Sequence, residues 1–565
     1  MQITNKIHFR NLRGDLFGGV TAAIIALPMA LAFGVASGAG ATAGLWGAVL
    51  VGFFAALFGG TPTLISEPTG PMTVVMTAVI ANLTASDPEN GMAMAFTVVM
   101  LAGIFQMIFG ALRLGKYVTM MPYTVISGFM SGIGIILVIL QIGPFLGQSI
   151  PKGGVIGTLK ALPELIANIQ PSAMVLAAIT VAIIWFMPSK FKRIVPPQLV
   201  ALVVGTILSL VVFSGSNLDR IGEISATLPA IQMPTFSPDK LQLMFVDAAV
   251  LGMLGCIDAL LTSVVADSLT RTEHNSNKEL IGQGLGNLVS GLFGGIAGAG
   301  ATMGTVVNIQ AGGRTALSGL IRALILLVVI LGASGLASQI PLAVLSGIAL
   351  KVGIDIIDWG FLKRAHQISL KGALIMYGVI IVTVLVDLIT AVGIGIFVAN
   401  VLTIDRMSQL QSNSVQAITD ADDDIRLNPE EKRWLDEADG RVLLFQLSGP
   451  MIFGVAKAIS REHNAIGECD AIVFDLTEVP HLGVTASLTL ENAIEEAVEK
   501  ERTVYIVGAA GQTKRRLQKL NVFSIVSHDR LYLDRTDALK AAVTETLGMV
   551  PIGAEAGTNS SSAVL

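Results

Sequence analysis

The chain has 565 residues, 53% of them hydrophobic and 14% charged, with a formal net charge of −5. Soluble domains carry about a quarter charged residues, so this composition excludes an ordinary soluble protein, and the acidic balance without a basic stripe excludes a nucleic-acid binder. The two cysteines, Cys256 and Cys469, lie far apart and exclude a disulfide framework or a cysteine metal site.

The N-terminal "MQITNKIHFRNLRGD" has no apolar stretch ahead of the first long span, which predicts no cleaved signal peptide. Apolar segments then follow at 14–36, 42–60, 68–83, 92–112, 122–147, 171–188, 197–214, 242–268, 279–297, 301–311, 315–333, 341–358, 371–388 and 390–404. Many approach the roughly 20 residues that cross a bilayer. Fourteen spans place both termini on one side. With that side cytoplasmic, the inner segments hold Lys6, Arg10, Arg13, Arg113, Lys116, Lys190, Lys192, Arg193, Arg271, Lys278, Arg314, Lys363, Arg364 and Lys371. The outer loops hold only Lys152, Lys160, Arg220 and Lys240. That asymmetry is the positive-inside rule. Fourteen also divides as seven plus seven, and a repeat with an odd number of spans inserts inverted relative to its partner.

The third and tenth segments are short or polar at one end. "SEPTGPMTVV" (66–75) and "GAGATMGTVV" (298–307) break the helical pattern at corresponding places in the two halves, which points to a transporter's binding site. Non-helical backbone at membrane depth must line a cavity or be buried in protein. Pro68 and Pro71, and the Gly-Ala-Gly run at 298–300, each predict an extended entry before a helix. Two helix N-termini then face one pocket with free amides and positive dipole ends, an arrangement suited to a small anion. The contacts expected are the backbones of Thr69, Gly70, Ala301 and Thr302, with the hydroxyls of Thr69 and Thr302 as further donors.

Asp258 lies within the eighth segment, where an acid is costly and by default functional. Thr262, four residues on, shares its helix face. Together with backbone oxygens of Gly300, Ala301 and Thr302 they predict a sodium site. A structural aspartate or a proton carrier is the alternative. Asp15 and Asp387 sit near span ends and read as interfacial. Glu67 reads as a cap for the helix beginning near Thr69, or as a gate. His274 and Glu273 make only a weak metal reading, and Gly282, Gly284 and Gly286 predict close helix packing.

Beyond residue 405 the composition turns polar. Residues 406–436, with "QAITDADDDIRLNPEEKRWLDEADG", read as an acidic linker. In 437–550, "RVLLFQL", "AIVFDLT", "TVYIVG" and "RLYLD" read as strands alternating with helical runs, a small α/β domain. Residues 551–565 read as a tail.

These residues resemble the SulP family of anion permeases along nearly the whole chain. "RGDLFGGVTAAIIALPMALAFGVASG" resembles the family's first-helix signature, with Pro28 in place but Met29 where a glutamine is usual. "EHNSNKELIGQGLGNLVSGLFGG" followed by "GATMGTVVNIQAGGRTALSG" resembles a second block, with Met303 where many members have arginine. The resemblance implies a polytopic α-helical membrane protein with seven plus seven inverted spans in core and gate domains, and a cytoplasmic STAS domain. It implies a secondary transporter, not an enzyme, that imports bicarbonate with sodium across the plasma (inner) membrane. It also implies a homodimer formed through the STAS domain. The alternatives are a permease for sulfate or another oxyanion, coupled to protons, or an anion channel. In "AIVFDLTEVPHLGVTASLTL" Gly483 replaces the aspartate of related domains, and Thr485 is the hydroxyl nearest the position that they phosphorylate.

Overall fold

The computed structural model describes residues 4–5, 9–118, 122–188, 191, 195–222, 228–386, 388–412, 415–418, 427–452, 455–464 and 468–548. The expected tail and Asp387 lie outside them. The chain divides into two units, Met1–Phe397 and Val398–Leu565.

Each of the apolar segments carries a helix. In chain order these are α1 (Leu12–Ala36), α2 (Ala41–Phe58), α3 (Gly70–Ser86), α4 (Gly91–Ala111), α5 (Tyr123–Leu140), α6 (Pro171–Phe186), α7 (Pro197–Val211) and α8 (Leu241–Thr270). They continue with α9 (Ser276–Leu292), α10 (Thr302–Gln310), α11 (Ala316–Ala337), α12 (Leu342–Ile356), α13 (Leu370–Leu385) and α14 (Leu388–Ser412). Among the described residues, five helical segments, which include α1, α2, α4, α5 and α8, are long and apolar enough by themselves to cross a bilayer. A further helix, Gly154–Ala167, lies in the connection before α6 and bends from it by 117°. The sequence reading had left that connection without an element.

Two short strands, β1 (Ser66–Glu67) and β2 (Ala299–Gly300), precede α3 and α10. They pair antiparallel, Ser66 with Gly300 and Glu67 with Ala299. Pro68 and Pro71 bar a helix from starting earlier, because proline lacks the N–H and disfavours helix in the residue before it. The extended backbone this forces finds its hydrogen-bond partner in the other interrupted segment, and so both breaks can be buried. α10 has only 9 residues, about 14 Å at 1.5 Å per residue, roughly half of a hydrocarbon core.

α9 is the central support. Gly284 and Gly103 of α4 each lack the Cβ that would sit 2.5 Å from the other's carbonyl oxygen, so α9 and α4 approach backbone to backbone. Gly282 and Gly286 make similarly close approaches to Gly59 and to Val51 of α2.

The second unit is a five-stranded sheet of β3 (Val415–Ile418), β4 (Val442–Ser448), β5 (Ala471–Glu478), β6 (Thr503–Val507) and β7 (Leu531–Tyr532), in that spatial order. β3 runs antiparallel to β4 and the others are parallel. The strands alternate side chains between two buried faces. Leu443, Phe445, Ile472, Phe474 and Ile506 pack against α16 (Val455–Asn464) and α17 (Val484–Glu499). Val442, Leu444, Val473, Tyr505 and Val507 pack against α15 (Pro429–Glu437) and α19 (Arg535–Leu547), with α18 (Gly511–Lys519) after β6. The stretch read as a linker therefore carries β3 and α15. "VQAI" offers an edge strand with two buried ends, and Asn428 and Glu431 form a reciprocal capping box that starts α15 at Pro429.

Candidate functional site

The site forms where the two interrupted segments meet α8. Asp258 and Thr262 are one turn apart on α8, a rise of about 6 Å. The Thr69 hydroxyl, at the N-cap of α3, donates to Asp258 Oδ2 at 2.7 Å. The Thr262 hydroxyl donates to the Gly300 carbonyl at 2.9 Å and lies 2.9 Å from the Thr302 hydroxyl at the start of α10. With Thr262's one proton on Gly300, Thr302 is the donor in that second contact. The structure thus gathers Thr69, Gly70, Asp258, Thr262, Gly300, Ala301 and Thr302 around one turn of α8.

The hydroxyl protons of Thr69, Thr262 and Thr302 all point at protein oxygens, so what these groups have left is lone pairs. Oxygen lone pairs beside a carboxylate suit a hard cation. Backbone amides suit an anion, and here the donor set differs from the expected one. Ala301 N–H donates to Ile65 O at 2.8 Å and is engaged. Pro71 has none. The first-turn amides without an intrahelical acceptor are those of Gly70 and Met72 on α3 and of Thr302, Met303 and Gly304 on α10. Thr69, Gly70 and Met72 are buried, whereas Thr302 and Met303 are exposed. The α3 end is therefore buried in protein and the α10 end is exposed.

A polar row on α9 holds both interrupted segments. Glu279 Oε2 accepts from the amides of Gly60 and Thr61, each at 2.8 Å. Gln283 donates to Ser66 Oγ at 2.6 Å and to Glu279 Oε1 at 2.8 Å. Asn287 accepts from Gly298 N–H at 2.8 Å and donates to its carbonyl at 2.9 Å. Ser290 donates to Ile296 O at 2.8 Å. Spacings of four, four and three residues keep all of them on one helix face. From the other side Thr305 accepts from Ile65 N–H at 3.0 Å and Asn308 donates to Thr63 O at 2.9 Å.

Arg322 of α11 is fully buried and pairs with Glu67. It also donates to Ser66 O at 2.9 Å and to Ala48 O at 3.0 Å. Glu67 therefore does not cap α3; with Arg322 it holds β1 onto α2 and α11. Sequence reasoning missed Arg322, although one arginine inside an apolar span is the signal. It missed the α9 row too, whose signal was polar residues every four positions. Asp15 is buried in protein: it accepts from Arg314 N–H at 2.8 Å, Thr315 N–H at 3.0 Å and the Thr315 hydroxyl at 2.7 Å, and so ties α1 to α11.

His274 is held by Asp267 at 2.6 Å and Ser276 at 2.9 Å, a clasp between the end of α8 and the start of α9. Among the described residues no three His, Cys, Asp or Glu side chains group as metal ligands. In the second unit Thr485 is exposed in the first turn of α17, and Asp475 is engaged by Thr477 and Arg535.

Known proteins match the chain over most of its length. A model of the sulfate permease family matches residues 12–379, and a STAS domain model matches residues 434–538. The bicarbonate transporter BicA of Picosynechococcus sp. is 77% identical over 555 residues, 98% of each chain. The solved transmembrane domain of a cyanobacterium bicarbonate transporter BicA is 79% identical, with a TM-score of 0.67 over 69% of this chain and all of that one. The structure of SLC26A9 shares the fold at 17% identity, with a TM-score of 0.79 over 95% of this chain and 91% of that one.

Proposed function

The chain belongs to the sulfate permease family, and from that premise we propose that it imports bicarbonate together with sodium as a secondary transporter. Bicarbonate is held by the amides of Gly70 and Met72 and by those of Thr302, Met303 and Gly304. Thr69 borders this pocket with its backbone while its hydroxyl proton rests on Asp258, and Ala301 offers no free amide because Ile65 O already takes it. Sodium sits beside it on Asp258 and on oxygens of Thr69, Thr262, Gly300, Ala301 and Thr302, with water completing the shell. The observation that carries the reading is the pair of contacts Thr69–Asp258 and Thr302–Thr262, which put both helix N-termini within one turn of a buried carboxylate.

The charges favour a monovalent anion. Met303 contributes no positive charge, and Arg322 is engaged by Glu67. Asp258 with one sodium is neutral, so a single negative charge meets only the two helix dipoles. Without sodium, Asp258 repels the anion; with it, each ion lowers the electrostatic cost of the other, a reciprocal coupling. Movement of the segment-bearing helices against the rest of the membrane unit then carries the pocket across by alternating access. The membrane is the plasma (inner) membrane, both termini are cytoplasmic, and the chain pairs as a homodimer through the STAS domain.

The test is uptake of labelled bicarbonate into proteoliposomes with and without a sodium gradient, with sulfate as competitor. Saturable, sodium-dependent uptake with weak inhibition by sulfate supports the reading. Uptake of sulfate driven by protons supports the second reading, an oxyanion permease, which the family's breadth keeps in view.

A further inference from the structure

We infer that Ile356 of α12, paired with Leu137 of α5, forms the apolar wall of the anion pocket and sets which anions fit it; this rests on the bicarbonate reading above. α5 and α12 cross where Gly134 and Gly353 face each other. A Cβ on Gly134 would lie 2.6 Å from Gly353 O, and one on Gly353 would lie 3.0 Å from Gly134 O, so the two backbones touch. Leu137 and Ile356 stand three residues beyond these glycines, about one turn on each helix. Both reach Gly70. A Cβ added at Gly70 would overlap the Ile356 Cδ1 and come within 3.7 Å of Leu137 Cδ2.

Gly70 is the first residue of α3 and carries a first-turn amide with no intrahelical acceptor. The Ile356 and Leu137 methyl tips therefore lie beside the residue whose amide would hold the anion. Leu137 is buried and Ile356 half-buried, so Ile356 is the more accessible of the two. The opposite N-terminus has no such cover, since Thr302 and Met303 are exposed. An anion entering beside Thr302 and held on Gly70 then has Ile356 beside it.

The wall selects by size and by hydration. Bicarbonate is flat and singly charged, and one of its faces tolerates apolar contact. A tetrahedral dianion is thicker and would turn a charged oxygen onto methyl groups, which is costly without a donor. One methylene in a pocket shifts discrimination by about 10–200-fold. The close Gly134–Gly353 crossing makes the wall stiff, because neither helix can retreat from the other without opening a void.

The test uses the full-length chain in proteoliposomes with saturating sodium. Ile356→Ala should raise the bicarbonate KM by about three- to tenfold with kcat within about twofold, and should strengthen sulfate inhibition at least about tenfold. Sodium half-saturation, read at saturating bicarbonate, should stay put. Gly70→Ala pushes the Cδ1 aside and should raise the bicarbonate KM by itself. In an Ile356→Val background, which lacks that methyl, Gly70→Ala should change KM less than twofold or so. If wild type takes up bicarbonate while Ile356→Ala keeps its KM and sulfate inhibition, or if Gly70→Ala acts equally in both backgrounds, the wall is not Ile356. If wild type takes up no bicarbonate, the functional reading falls and the wall with it.

Discussion

Asp258→Asn isolates the charge of the proposed cation site from its shape. In the structure Thr69 donates to Asp258 Oδ2 at 2.7 Å, and an asparagine oxygen can accept the same bond. The fold and the α3–α8 contact therefore survive, and what is lost is one negative charge in a buried place. Two unit charges about 4 Å apart interact by about 4 kcal/mol at an effective dielectric of about 20. At about 1.4 kcal/mol per decade this is a sodium affinity lower by roughly a thousandfold. The sign for bicarbonate is different. Without sodium, Asp258 opposes the anion, so the Asp258→Asn variant binds bicarbonate in sodium-free buffer no more weakly than wild type does. With saturating sodium the wild type gains from coupling and the variant does not. The assay is labelled bicarbonate uptake against sodium concentration, with bicarbonate binding by calorimetry in sodium-free buffer. A variant that keeps the wild-type sodium half-saturation refutes the reasoning, because no other carboxylate meets Thr69 among the described residues.

Asn287→Ala leaves the N–H and carbonyl of Gly298 without their partner, at about 1–3 kcal/mol for each. Because Gly298 leads into β2, sodium and bicarbonate half-saturation should worsen together in uptake assays. Arg322→Met leaves Glu67 buried and alone, at about 3–5 kcal/mol. Thermal unfolding read by a thiol dye at buried Cys256, in a Cys469→Ser background, should drop clearly and recover in part with Glu67→Gln added. In the second unit, burial holds the His463 imidazole below its usual 6.5, opposed by Glu496 at 3.2 Å. The folded form thus favours neutral His463, and its stability is full above pH 6.5 and falls as pH drops below that value. Hydrogen-exchange protection factors in α16, taken against the intrinsic rate at each pH, should fall on going from pH 7.5 to 5.5, and His463→Gln should flatten that fall.

Much of the membrane unit was legible because its signals are local. Apolar length marked α1 to α14 but not Gly154–Ala167, and the prolines at 68 and 71 marked where α3 could not yet begin. Loop charge gave an orientation by a count over many residues. The pairs that build the site were less legible. Thr69–Asp258 spans 189 residues and Arg322–Glu67 spans 255, and no periodicity couples positions so far apart. The sequence reading chose Asp258 on the cost of a buried acid, yet the same rule applied to Arg322 passed unused. The position of Ala301 just before a helix predicts an anion donor; only the β1–β2 pairing reveals that Ile65 already occupies its amide. The acidic stretch after residue 405 concealed β3 and α15, since four residues such as "VQAI" read as a strand only once β4 lies beside them.

By itself the sequence determined that this chain spans a membrane many times, that two matched breaks interrupt it, and that a separate α/β domain follows. Those properties follow from composition and spacing, which act within about a turn or a strand of each residue. Tertiary structure alone decided which donors remain free, which charge answers which, and which side chain faces the pocket. The reason is that lipid satisfies no polar group, so each broken segment must find its partners elsewhere in the chain, and that choice belongs to the packing of distant helices.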